Sequence, residues 1–350
     1  CSPSKRNRKC VRVVDIDGRT PQEKGRQHGE FLRKQIHECW KFYLDLFHRV
    51  GWKDAEIRQA AMDIRGCIQR FFPAYVQEMK ALADSAGLEE WQVIALNSRT
   101  EILNARRTAP GWTAEKKKEI QRCLHNIQES KETHADGDKE EGECTAIFLK
   151  KDAIQAQNWD WEEKLEGLFT VLRYSYPDGR KFIMLTEPGI IGKIGLNSSG
   201  LGTCLNLVSH THTCALWGGI ERVSFTPCIP VHILLRVALD STEFKRALDT
   251  VKKAPRCCAS MSNIMLGHSS GKSAMIELGG KSVEVFFGEN QMHTNHFLGC
   301  GFDKITTGSA SSYARYTRCT HLLRELDDSV DGELEAKRIL SDGEGKLPIL

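Results

Sequence analysis

The amino-acid sequence predicts an α+β fold, with a helical N-terminal part followed by mostly antiparallel strands. Three observations carry this prediction. Apolar side chains between residues 20 and 103 recur at three- and four-residue spacing, which is the period of an amphipathic helix. From Cys144 onward the period changes to two, and turn residues separate the short apolar segments. A helical stretch at 227–251 interrupts the strands, and such grouped elements favour α+β.

Four helices are predicted in the first hundred residues. The first begins at Thr20, because TPQE (20–23) is a capping box with proline at the first helical position. The second covers 53–70, the third follows Pro73 and ends near Gly87, and the fourth spans EEWQVIALNSRTEIL (89–103). One apolar stripe follows the first cap, formed by Leu32, Ile36, Trp40, Tyr43 and Phe47.

Residues 110–143 break this pattern, since they are dense in charge and nearly free of large apolar groups. Such a composition predicts a linker or surface loop. A long loop of this kind usually has a function or contains a cleavage site. We therefore expect a helical segment 1–109, a charged linker 110–143 and a strand-rich region 144–350.

The strand-rich region reads as a series of hairpins. CTAIFLK and IQAQN are separated by Lys151-Asp152, and LFTVLRYSY and KFIMLTE are joined by the turn sequence Pro177-Asp178-Gly179. KIGLNSSG and LGTCLNLV form the next pair. After the helical stretch, the predicted strands are SNIMLGH, SAMIELG and SVEVFFG.

The composition is that of an ordinary globular protein, with 40% hydrophobic and 27% charged residues and a net charge of +3. No basic stripe with interleaved aromatic residues indicates nucleic-acid binding, and no apolar run has the length of a membrane span. Thirteen scattered cysteines without a CxxC pair predict reduced, buried thiols in a cytoplasmic protein and no zinc site.

Cys144 is the first candidate for chemistry, because it stands at the first position of a strand directly after the charged linker. It can be a small buried hydrophobe at a strand start. Alternatively, cleavage of the bond between Glu143 and Cys144 would place an α-amine, with a pKa near ~7.7–8, beside its own thiol. Nucleophile and base would then belong to one residue.

Two further segments contain polar candidates. In QNWDW (157–161), alternation puts Asn158 and Asp160 on one face, and the hairpin would bring both towards the thiol of Cys144. A strand-end turn explains the same residues without a function. In HTNH (293–296), the uncharged amide of Asn295 suits an oxyanion hole, although a loop asparagine that satisfies nearby backbone fits equally.

Six segments in this order resemble the acyl-coenzyme A:isopenicillin N (6-aminopenicillanic acid) acyltransferase family of N-terminal nucleophile hydrolases, which includes the insect β-alanyl-dopamine hydrolase. The matching segments are GRQHGE (25–30), LNSRTEI (96–102), CTA (144–146), QNWDW (157–161), EPGIIGKIGLNSSG (187–200) and HTNH (293–296). The resemblance implies a four-layer αββα sandwich and an autocatalytic cut before Cys144. It also implies Cys144 as nucleophile with its freed amine as base, Asp160 orienting that amine, Asn295 stabilising the oxyanion and Asn158 supporting the site.

Two departures from the family pattern stand out. Relatives often have glycine before the cysteine, whereas this chain has Glu143 with Gly142 one place earlier. The chain ends at KLPIL, near where relatives continue into a segment with a site arginine and closing strands. We therefore expect those strands to be missing and assign no residue to the role of that arginine.

The expected function is a self-processing N-terminal cysteine amidohydrolase or acyltransferase that acts on a small N-acyl amine through an acyl-cysteine. Hydrolysis is favoured because water is the default acceptor. Two alternatives stay open, namely an acyl-coenzyme A-dependent N-acyltransferase that starts from an acyl thioester, and an uncleaved relative without activity. The expected partners are the small substrate and the two chains of one precursor, with no cofactor, metal, nucleic acid or membrane.

Overall fold

The computed structural model describes residues 11–107, 144–208, 228–255, 261–280, 282–302, 309–327 and 329–343. Its α-helices are α1 (Pro21–Phe31), α2 (Arg33–Arg49), α3 (Asp54–Phe71), α4 (Pro73–Ala86), α5 (Glu90–Asn97), α6 (Arg99–Arg107), α7 (Val231–Asp240), α8 (Phe244–Lys253), α9 (Ala310–Arg324) and α10 (Gly332–Leu340). Its strands are β1 (Arg12–Ile16), β2 (Cys144–Leu149), β3 (Ile154–Trp159), β4 (Thr170–Ser175), β5 (Lys181–Thr186), β6 (Ile194–Asn197), β7 (Leu201–Leu207), β8 (Met261–His268), β9 (Ser273–Gly279), β10 (Ser282–Phe287) and β11 (Gln291–His293).

The helix ends follow the local sequence signals. The Thr20 hydroxyl accepts from the backbone N–H of Glu23 at 3.1 Å, and the Glu23 carboxylate accepts from the Thr20 N–H, so the predicted capping box is present. Pro73 occupies the first position of α4, and Gly87 ends that helix with a φ of 75°, which glycine adopts without steric cost.

Two sheets contain all of these strands. The large sheet has eight strands in the order β1-β4-β5-β6-β7-β8-β9-β10, and the small sheet has the order β11-β2-β3. Pairing among these strands is antiparallel except between β1 and β4, which run parallel. The antiparallel meander predicted from the alternating segments is therefore confirmed.

The elements stack in four layers, helices on sheet on sheet on helices. Ile264 and Leu266 of β8 belong to the largest core, which lies between one face of the large sheet and the helices α2–α8. Met265, between them in sequence, packs on the opposite face against Phe148 of the small sheet. The outer face of the small sheet is covered by α9 and α10. The α+β class and the αββα sandwich are thus confirmed.

The structure corrects two details of the predicted helical region. Residues 12–16 form β1, so a strand from the N-terminal part joins the sheet that the later residues build. The predicted first and fourth helices are each divided, at Leu32 and at Ser98. The stripe Leu32 to Phe47 is buried as predicted, because the break at Leu32 leaves its other members on the single helix α2.

The predicted linker 110–143 and the residue Glu143 lie outside the described residues. The division of the chain at 143 therefore stays a prediction. None of the helices in the described part of the chain combines the length and apolar character that crossing a membrane requires.

Candidate active site

Cys144 is the first residue of β2 and is buried, with 3% of its surface exposed. It pairs with Trp159 of β3, so the two side chains lie on the same face of the small sheet. That face is directed towards the large sheet, since Phe148, four residues further along β2, packs there against Cys204 and Met265. The thiol therefore lies at the edge of the space between the two sheets.

Asn295 lies beside the backbone of Cys144, shortly after β11, the neighbour of β2. Its side-chain oxygen Oδ1 accepts from the backbone nitrogen of Cys144 at 2.8 Å, and its Nδ2 donates to the carbonyl oxygen of Leu207 at 2.7 Å. The amide orientation is fixed, because the Leu207 carbonyl can only accept and a backbone N–H can only donate. If Asn295 stabilises an oxyanion, it would donate the second hydrogen of Nδ2, because the first is donated to Leu207.

Arg315, on α9, completes the contacts around the backbone of Cys144. Its guanidinium donates to the carbonyl oxygen of Cys144 at 2.8 Å, to the hydroxyl of Thr145 at 3.0 Å and to Oδ1 of Asn295 at 2.9 Å. It is 1% exposed, so its charge is held in a medium where electrostatic interactions are strong. The sequence analysis assigned no arginine to the site, and the structure places this one there.

Several charges act on the thiol of Cys144. Burial raises its pKa to about 11, while Arg315 and Lys193 oppose this effect. A hydrogen bond from the backbone N–H of Asp160 also lowers the pKa, and the carboxylate of Asp160 raises it. Because the effect of burial dominates, the thiol of the continuous chain is protonated at neutral pH and needs a base to become a nucleophile.

Asp160 follows β3 directly and is exposed, in contrast to the buried Cys144. Its backbone N–H and its carboxylate both act on the pKa of the thiol, so Asp160 is close to Cys144. The hairpin β2–β3 brings the two residues together, by the pairing of Cys144 with Trp159. Its role towards an α-amine stays a prediction.

Asn158 does not approach the thiol, and the expectation that it would is wrong. It pairs with Thr145, so its side chain lies on the opposite face of the small sheet from that of Cys144. Its Nδ2 donates to the carbonyl oxygen of Leu340 at 2.7 Å, which is the last residue of α10. Asp160 lies beyond the end of β3, where strict alternation no longer relates it to Asn158.

A hydrogen-bonded network positions the backbone of Asn295. The Asn295 N–H donates to the hydroxyl of Ser312 at 2.8 Å, and that hydroxyl lies 2.8 Å from Nδ1 of His296 and 3.0 Å from the hydroxyl of Thr294. His296 is 3% exposed, and burial together with the charge of His293 lowers its pKa to about 4. The imidazole of His296 is therefore neutral where it contacts Ser312.

His293, the other histidine of HTNH, forms a buried pair with the carboxylate of Glu277 at 2.7 Å. That carboxylate also accepts from the backbone N–H groups of Leu298 and Gly299, which shapes the loop after Asn295. The motif thus contributes to the position of Asn295. Within the described ranges, no group of three histidine, cysteine or acidic side chains could hold a metal ion.

Comparison with known proteins finds a similarity that covers nearly the whole chain. The chain is 26% identical over 339 residues to the acyl-coenzyme A:6-aminopenicillanic-acid acyltransferase 40 kDa form of Emericella nidulans, covering 94% of this chain and 81% of that protein. No family model matches the chain. The similarity confirms the resemblance that the six ordered segments indicated.

Two solved structures of acylases and hydrolases also show partial likeness. Penicillin V acylase from Agrobacterium tumefaciens aligns with a TM-score of 0.34 and 11% identity, covering 57% of this chain and 63% of that one. A mutant of conjugated bile acid hydrolase from Clostridium perfringens aligns with a TM-score of 0.29 and 14% identity, covering 57% of this chain and 70% of that one.

Proposed function

We propose that this chain, a relative of acyl-coenzyme A:6-aminopenicillanic-acid acyltransferase, is a self-processing enzyme whose N-terminal nucleophile is Cys144. The similarity to this acyltransferase supports an enzyme that acts on acyl groups. One observation carries the finer proposal: Asn295, Arg315 and the backbone of Asp160 converge on a cysteine at the first position of a strand.

Self-processing would begin at the peptide bond before Cys144. The thiol loses its proton as the sulfur attacks the carbonyl carbon of Glu143, the C–N bond breaks, and the nitrogen takes that proton to become the free α-amine of Cys144. Water then hydrolyses the thioester and leaves a carboxylate on Glu143. Asn295 and Arg315 support this step, because they hold the nitrogen and the carbonyl oxygen of Cys144 and are hydrogen-bonded to each other.

The same residue would then act on a substrate. The α-amine of Cys144 takes the proton of the thiol, and the sulfur attacks the acyl carbon of an N-acyl amine. We assign to the developing oxyanion the backbone N–H of Asp160 and the second hydrogen on Nδ2 of Asn295, whose Oδ1 binds the nitrogen of Cys144. The amine product leaves with the proton, and the acyl group stays on Cys144 as a thioester.

Water or an acceptor amine would release the acyl group. We propose hydrolysis of a small N-acyl amine as the main reaction, because water needs no binding site of its own. Transfer from an acyl thioester is the second candidate, since the relative from Emericella nidulans is named for acyl-coenzyme A. Both reactions share the acyl-cysteine, so they differ only in what enters the site next.

The test incubates the purified protein with an acyl thioester, with and without an amine. Mass spectrometry of the tryptic peptides is expected to show the acyl group on Cys144 after rapid quenching, and Cys144→Ala is expected to show none. Amide product indicates transfer, and free acid alone indicates hydrolysis. A chain that stays uncut and takes no acyl group on Cys144 would support the inactive relative instead.

A further inference from the structure

Lys193 is a buried cation whose position no role in the proposed reaction explains. It lies between β5 and β6, in the segment EPGIIGKIGLNSSG, and is 2% exposed. Its ammonium nitrogen is 4.7 Å from the centre of the Trp159 ring and 3.1 Å from Oε2 of Glu187. Trp159 is the cross-strand partner of Cys144 on the same face of the sheet, so the ammonium and the thiol share one neighbour.

The pair of Lys193 and Glu187 belongs to a larger buried cluster. The other oxygen of Glu187 binds the guanidinium of Arg99 at 2.7 Å and the hydroxyl of Tyr43 at 2.8 Å. His232 contacts Arg99 through Nε2 and is kept neutral by burial, which lowers its pKa, with its Nδ1 3.1 Å from the carbonyl oxygen of Gly192. Each carboxylate oxygen of Glu187 therefore faces a cation.

The charges of this cluster do not balance. Two cations, Arg99 and Lys193, surround the single carboxylate of Glu187, so the described part of the cluster carries an excess positive charge. An excess buried charge is costly unless a partner of opposite sign approaches it. A thiolate at Cys144 is such a partner, because the charges of Cys144 and Lys193 influence each other in both directions.

We propose that Lys193 is a positioning residue for Cys144, and that its ammonium supplies the counter-charge which stabilises the thiolate between the two sheets. The proposal rests on the proposed function for its purpose, because a stabilised thiolate serves both self-processing and acyl transfer. Arg99 keeps Glu187 from neutralising this ammonium fully. Lys193 therefore remains available to a second anion.

The charge of Lys193 depends on the groups that pack against its ammonium. Desolvation lowers the pKa of Lys193 to about 8, with Arg99 acting in the same direction, while Glu187 and a Cys144 thiolate raise it. Below that value the group is charged, so its effect on the thiol is present at neutral pH. The titratable and charged groups around it are Glu187 after β5, Arg99 on α6, Tyr43 and Cys39 on α2, His232 on α7 and Cys144 on β2.

The test measures alkylation of Cys144 by iodoacetamide as a function of pH. Trypsin yields the peptide CTAIFLK from a cut chain and EEGECTAIFLK from an uncut chain, so the thiol is followed separately in both forms. Lys193→Met keeps the aliphatic contact with Trp159 and removes the charge. Because one pKa unit changes the thiolate fraction tenfold, we expect the rate at pH 7, where Lys193 is charged, to fall about tenfold.

Three further proteins make the result interpretable. Lys193→Arg restores the charge and is expected to recover most of the rate. The double variant Lys193→Met/Glu187→Gln also removes the charge of the carboxylate that loses its partner. If the single variant does not fold, the alkylation rate of Cys144 is measured in the double variant instead. Lys24→Met is the matched control, because Lys24 is also buried but lies over the ring of Tyr176 and donates to the carbonyl of Gly18.

Unchanged alkylation rates from pH 7 to pH 10 in folded Lys193→Met or in the double variant would overturn the proposal. An equal loss in Lys24→Met would overturn it too, since the effect would then follow any loss of a buried lysine. The measurement needs no substrate and no cut. Suppose that the wild-type chain is inactive and uncut, but that Cys144 is alkylated ten times more slowly in Lys193→Met. This result would refute the proposed function and would still support the present inference.

Discussion

The guanidinium of Arg315 binds the carbonyl oxygen of Cys144 at 2.8 Å, across 171 positions of the chain. The same guanidinium binds Oδ1 of Asn295, which in turn accepts from the nitrogen of Cys144. The two ends of the nucleophilic residue are therefore held by one connected pair of side chains. Each of the predictions below removes one part of this arrangement or of its surroundings.

Arg315→Met is expected to impair both stability and activity. The substitution leaves the acceptors on Cys144, Thr145 and Asn295 without their shared donor, which costs about 1–3 kcal/mol of unfolding free energy for each buried polar group left unpaired. Denaturant unfolding and turnover of the proposed substrate measure the two effects. Arg318→Met on the same helix α9 is the control, since it loses the partly buried pair with Asp342 instead; equal losses in both variants would contradict the assignment.

Asn295→Asp separates the two functions of the amide. The carboxylate can still accept from the nitrogen of Cys144 and from Arg315, but it cannot donate as Nδ2 does. If the amide serves the oxyanion, kcat falls by about 10²–10³ while the fold remains. Steady-state kinetics with circular dichroism provide the measurement. If the kcat of Asn295→Asp equals that of the wild type, Asn295 does not stabilise the oxyanion. Its side chain would then serve only as the acceptor for the nitrogen of Cys144.

Asp160→Asn and Asn158→Ala are expected to act differently, because the side chain of Asn158 lies away from the thiol. Asp160→Asn removes the charge beside the thiol and is expected to lower kcat. Asn158→Ala leaves the carbonyl of Leu340 without its donor, which lowers the unfolding free energy by about 1–3 kcal/mol with little effect on kcat in the folded protein. A large kcat loss in folded Asn158→Ala would restore the catalytic role that its geometry argues against.

The neutral His296 makes the site sensitive to acid. Its pKa in the folded protein is about 4, below the ordinary value of 6.5, so the folded state binds the proton less readily than the unfolded chain. The contribution of neutral His296 to the unfolding free energy is complete above pH 6.5 and is lost as the pH falls through 4. Unfolding free energies from pH 7 to pH 4 are expected to fall less in His296→Asn than in wild type. Parallel pH curves for the two proteins would contradict this.

Much of the fold could be predicted from local signals. The capping box at Thr20, the αL glycine Gly87 and the alternation after Cys144 each act within a few residues, so the sequence alone reveals them. The strand β1 was missed because it depends on pairing with β4, which lies far away along the chain. No partner strand lies near its five residues along the chain.

The candidate site could be predicted only in part, because sequence signals are local and the site is assembled from distant segments. Cys144, Asp160 and Asn295 were found through their segments, and the structure brings them together. Arg315 and Lys193 were missed because no chemistry was assigned to the segments that contain them, and their importance comes only from burial beside the thiol. Only the register of β2 with β3 shows on which face of the small sheet the side chain of Asn158 lies.

The intact mass of the purified protein tests the central claim most directly. Self-processing predicts two chains, the second beginning with Cys144, from the wild-type protein, and one continuous chain of 39.5 kDa from Cys144→Ala. The two chains are expected to elute together under native conditions, since β1 of the first chain pairs with β4 of the second. A wild-type protein that remains one chain, or a Cys144→Ala variant that is cut at the same bond, would contradict it.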